Sequence, residues 1–83
     1  MTTNEQFRIN SLKKLAEEAV SRASDARTIA NGLGDAFCTF KGDEEGIRAA
    51  RMKYHLAEAC AIELERLAYD AQVRAFYAER AAK

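Results

Sequence analysis

Arginine and aromatic residues share one side of the second half of this chain, and their types suit the capture of an anion. At about 100° per residue, Arg48, Arg51, His55, Arg66 and Arg80 fall in a narrow arc around Ile62 and Tyr69. A guanidinium fork pairs with phosphate, and a neighbouring ring stacks on a base. Arg48, Arg51, Arg66 and Tyr69 are therefore candidates for holding a planar, anionic ligand such as a cyclic or linear nucleotide. The other reading is that the arginine stems lie over an apolar seam and pair with Glu58, Glu63 or Glu65 of a neighbouring copy. From Arg48 to Arg80 the patch spans about nine helical turns, so no single small ligand touches all of it.

Other chemistry is sparse. Histidine is the side chain that switches charge nearest physiological pH, so His55 at an interface would make that interface pH-sensitive. As a metal ligand it needs companions at i+3 or i+4, where Glu58 is the one carboxylate; we expect no metal and no cofactor. Ser11, Ser21 and Ser24 have no histidine on their helix and no nucleophile elbow. Gly32, Gly34, Gly42 and Gly46 spell no phosphate loop. With no base–nucleophile pair, enzymatic activity is not expected. Cys38 and Cys60 match no zinc or CxxC spacing and fit a reducing compartment. Cys60 reads as a small core residue, whereas Cys38 lies in a connector where a thiol, a buried contact or an inter-subunit bridge are all open.

These side chains must be positioned by helices. The 83 residues make one domain, with no proline, four glycines and abundant alanine. One strict heptad seam runs Ile9, Leu12, Ala16, Ala19, Ala23, Ala26, Ala30, Leu33. It predicts a helix over about 4–31, capped by Thr3 with Gln6 reaching back, and ended by Gly32 in the left-handed conformation. Alanine through the middle of the seam predicts close antiparallel packing. A connector over 32–42 would hold Phe37 and Phe40 in a short turn capped by Asp35, tucked under the end of the hairpin. Asp43 then caps a helix over about 43–82, with Glu44 and Glu45 in its first turn. Asp70–Arg74 and Glu79–Lys83 support it as i,i+4 pairs. Roughly 40 residues give about 60 Å against about 42 Å for the first helix, so the second should overhang.

That second helix carries two apolar stripes. Ala49, Leu56, Cys60, Leu64, Leu67, Ala71, Ala75 and Ala78 form the expected mate of the first helix. Ile62, Tyr69, Val73 and Phe76 form a second line, which a two-helix hairpin leaves uncovered and which we expect to be an interface, first of all with another copy.

The stretch RTIANGLGDAF at 27–37, a Glu-rich turn, and IRAARMKYHLAEACAIE at 47–63 resemble the helical hairpin of phage nucleotide-sponge proteins. Those proteins sequester the cyclic-nucleotide signals of bacterial immune systems such as CBASS and Thoeris, and they assemble as oligomers. The resemblance implies an oligomeric anti-defence protein. An aromatic-His-Pro segment of that family has no counterpart here, so no family binding residue is carried over.

The balance of 13 basic and 13 acidic residues exerts no global pull on nucleic acid or anionic membrane. The start, MTTNEQFRIN, reads as neither signal nor transit peptide, and no apolar run spans a membrane, so a cytoplasmic location is expected. The expectation is an all-α antiparallel two-helix hairpin with a short connector, assembled as a homo-oligomeric helical bundle. Its expected work is binding and inhibiting or regulating a host protein, as a phage- or mobile-element-type product. The alternatives are a cyclic-nucleotide sponge and, third, a nucleic-acid-binding regulator.

Overall fold

The computed structural model describes residues 2–82 as two antiparallel helices, α1 (Thr3–Thr39) and α2 (Glu44–Ala81), joined by a tight link and without strands among those residues. Caps close all four ends, and at the end of α1 the Phe40 amide donates to the Phe37 carbonyl at 3.3 Å. At the start of α1 the box sits one residue earlier than Thr3 and Gln6 would place it. The Thr2 hydroxyl accepts from the Glu5 amide at 3.1 Å, and the Thr2 amide donates to the Glu5 carboxylate at 3.4 Å. Asp43 caps α2 as its position implies, accepting from the Gly46 amide at 2.8 Å. At the far end the Ala82 amide donates back to the Ala78 carbonyl. The expected Glu79–Lys83 pair involves a residue outside those described, and Asp70 meets Arg66 at 3.4 Å.

The first helix does not stop at Gly32. It continues for two more turns, and no described residue has positive φ. The cause lies in the seam, whose heptad step from Leu33 reaches Phe37, stacked on Tyr54 of α2 at 6.2 Å between ring centroids. Extending the helix half-buries that ring against Tyr54, a gain that outweighs the modest helix penalty of glycine. Gly34 belongs to the same contact, since a Cβ there would stand 2.9 Å from Tyr54 Cε1. The connector thus shrinks from the expected 32–42 to the few residues around Lys41 and Gly42, and Asp35 lies within α1 rather than capping a turn. Phe40 covers this link, with its ring against Gly42 and Gly46. With 37 and 38 residues, both helices are about 55–57 Å long, so neither overhangs.

Along the α1 seam Ile9, Ala16, Ala23 and Ala30 are buried, with Leu12, Ala19, Ala26 and Leu33 half-buried between them. The mating line on α2 differs from the expected stripe. It is the heptad series Ala50, Tyr54, Ala57, Ala61, Leu64, Ala68, Ala71, Ala75, Ala78 and Ala82, in which Ala61, Ala68 and Ala75 are buried. Of the stripe read from sequence, Leu64, Ala71, Ala75 and Ala78 take part, while Ala49, Leu56, Cys60 and Leu67 stay exposed. Alanines spaced by seven on both helices draw the backbones too close for leucine knobs. The outcome is a rod with Cα extents of 63 × 13 × 13 Å.

Candidate interaction surfaces

The seam divides the rod into two flanks, each built from both helices. A hollow near the link, lined by Leu33 and Ala36 of α1, Phe40 of the link, and Ala49 and Lys53 of α2, marks the first flank. Steps of seven residues return to nearly the same side of a helix. Following them, Ala36 leads back to Ile29 and Leu15, Ala49 leads on to Leu56, and Lys53 leads on to Cys60 and Leu67. These are not marginal exposures. Leu15, Ile29 and Leu56 show 57, 60 and 65% of their surface to solvent.

The second flank is marked by a shallow groove lined by Val20, Ser24, Arg27 and Thr28 of α1 and by Glu65, Tyr69 and Gln72 of α2. Ile62 and Phe76 stand one heptad either side of Tyr69, and all three are more than half exposed, at 54, 56 and 67% for Ile62, Phe76 and Tyr69. Val73 is half-buried. Of the apolar line Ile62, Tyr69, Val73, Phe76 the hairpin thus leaves all but the half-buried Val73 exposed, and it leaves the flank on the other side open as well.

Charge crosses the seam on the aromatic flank. Arg27 donates from Nε and Nη2 to both oxygens of Glu65, at 3.1 and 2.7 Å, and from Nη1 to Glu58 at 2.8 Å. Lys13 Nζ reaches Glu79 at 3.0 Å. Hydrogen bonds from Arg27 hold the Glu65 carboxyl below its ordinary range, and those same bonds raise the guanidinium's own affinity for its proton. Sequence reading passed over Arg27. Its signal was a basic residue beside an alanine seam, facing Glu58 and Glu65, two acids seven apart on the second helix.

Of the candidate ligand residues, the structure brings together Arg66 and Tyr69, one turn apart. Arg48 and Arg51 lie about 27 Å further along α2, 18 residues from Arg66 and Tyr69 respectively. Arg48 pairs with Glu44 at 3.1 Å, while Arg66 is held by Glu63 and Asp70 on its own helix. Hydrogen bonds from Arg66 lower the Glu63 carboxyl's proton affinity and raise the affinity of Arg66 itself. His55 stands exposed against the Tyr54 ring at 5.3 Å, and Arg80 lies 6.0 Å from the Phe76 centroid. Among the described residues there is no cluster of three or more potential metal ligands. Neither Cys38 nor Cys60 is in a disulfide, and both are exposed; Cys60 is not the core residue its stripe suggested. No described helix is long and apolar enough to cross a membrane. Compared with protein-family models, curated proteins and solved structures, the chain matches none of them.

Proposed function

We propose that this chain is a non-enzymatic helical interaction protein that self-associates and binds, and so inhibits or regulates, another macromolecule. The observation carrying this reading is the amount of surface left open. A chain of 9.2 kDa is expected to expose about 4,900 Å² when folded as a monomer, and this hairpin exposes 6455 Å². The excess of about 1,500 Å² per copy would give two copies a shared interface of about 3,000 Å², within the range of obligate homodimers. Its composition points the same way. Among the described residues the buried ones are Ile9 and six alanines, while every leucine, tyrosine and phenylalanine lies wholly or partly outside. A monomer so arranged has almost no large side chain with which to offset its conformational entropy.

Two apolar flanks also allow two different bindings, one to another copy and one to a target. The target reading is tested by affinity capture from the host in which the protein acts, comparing wild type with an Ile62→Glu, Tyr69→Glu, Phe76→Glu triple variant. The expected result is a defined protein retained by wild type and lost by the variant. Identical retention by both, or none by either, would overturn it.

A further inference from the structure

We propose that the Leu15–Ile29–Leu56–Leu67 flank is the self-association face, and that two copies stack on it as a four-helix bundle with α1 of each over α2 of its partner. The inference rests on the self-association reading above and adds the face and the orientation.

Apolar residues from both helices favour this flank. Leu15 and Ile29 on α1 and Leu56 and Leu67 on α2 form two parallel exposed lines either side of half-buried Leu33 and Leu64. On the opposite flank α1 offers mainly Lys13, Ser24, Arg27 and Thr28, and the ion pairs of Arg27 and Lys13 cross the seam there. Covering those charges would desolvate cations already paired within the hairpin, whereas on the leucine flank Arg22 and Glu63 can offset their own desolvation by pairing between copies. A net charge of zero removes any general repulsion between copies.

Two charges set the orientation. Arg22 lies on the heptad line between Leu15 and Ile29, and Glu63 lies one heptad beyond Leu56, both exposed. Arg27 reaches Glu58 and Glu65 across the seam, so position 22, five residues earlier, stands level with positions 63–70 of α2. Arg22 and Glu63 are thus at about the same height, at mid-rod, on the two helices of one face. With α1 over the partner's α2 and the two-fold axis along the rod, Arg22 meets the partner's Glu63, and Ile29 falls near the partner's Leu56. Each contact is then made twice. With α1 over the partner's α1, Arg22 would face the partner's Arg22 instead, a like-charge contact that selects against that arrangement. Glu63 already accepts from Arg66, but an ionised carboxylate has acceptor positions for both guanidinium groups.

The experiment is a charge-swap cycle read as the dimer dissociation constant, with helicity checked by circular dichroism. Both positions are exposed, so the hairpin should keep its fold. Arg22→Glu and Glu63→Arg should each weaken the dimer about fivefold or more, because each reversal places like charges at both symmetric contacts. The double variant R22E/E63R should recover most of the loss. Single swaps without effect, or a double variant weaker than either single, would overturn the orientation. A second measurement uses the otherwise unaltered chain carrying C38S. Cys60, exposed in the isolated hairpin, should react with a thiol reagent about tenfold more slowly above the dimer dissociation constant than below it, as burial at an interface excludes the reagent. Equal reactivity would rule out this face while leaving self-association standing. A monomer at every concentration would instead remove the broader reading.

Discussion

Gly32 and Gly34 sit two residues apart in the same helix and do different things. A Cβ at Gly32 would meet nothing within 4 Å, whereas one at Gly34 would press on the Tyr54 ring. Gly32→Ala should therefore stabilise the fold by about 0.5–1 kcal/mol, the ordinary helix gain. Gly34→Ala should gain less or lose, because the stacked Tyr54 must move off Phe37; thermal melts of the two variants decide this. Arg27 makes a second residue-scale prediction. Its bonds hold the Glu65 carboxyl below the ordinary value of 4.5, as Arg66 does for Glu63. A depressed carboxyl contributes stability above its unfolded value and loses it as pH falls through the folded one. The melting temperature should therefore drop on acidification below about pH 4.5, and Arg27→Gln should flatten part of that drop. An unchanged profile in Arg27→Gln would show that the Glu65 pair contributes nothing in solution. The Arg27–Glu65 pair is not legible in the sequence, because partners 38 positions apart meet only once the register between helices is known.

Between the elements, the close approach of two alanine lines decides everything else. Ala68 is buried against α1, so Ala68→Leu should force the helices apart and cost about 1–3 kcal/mol by overpacking, measured as a fall in urea midpoint. The α1 seam from Ile9 to Leu33 was legible because alternating steps of three and four over so many turns have no other use in a helix. The Asp43 cap was legible for a similar reason, an acid preceding two glutamates. Where α1 ends was not. Glycine at position 32 carries a stop signal locally, and only the reach of Phe37 to Tyr54 overrides it. The choice of stripe on α2 failed on size. Leucines look like core in isolation, yet opposite alanine the smaller column Ala61, Ala68, Ala75 packs closer and turns Leu56 and Leu67 outward.

For the whole molecule, shape follows from that choice. A compact chain of this length has a radius of gyration of about 12 Å, and this one measures 18.6 Å over Cα atoms. Two full-length helices with a thin alanine seam leave large apolar side chains outside on both flanks, and exposed apolar surface of this extent marks an interaction site. The aromatic line Ile62, Tyr69, Phe76 is legible in the sequence as uncovered; with the leucine flank also open, the proposed partner copy and target would each have a face of their own. The most direct measurement is sedimentation equilibrium of the full chain at micromolar concentration. Self-association would give twice the 9.2 kDa chain mass or a higher multiple. A single species at the mass of one chain, folded and stable, would contradict it.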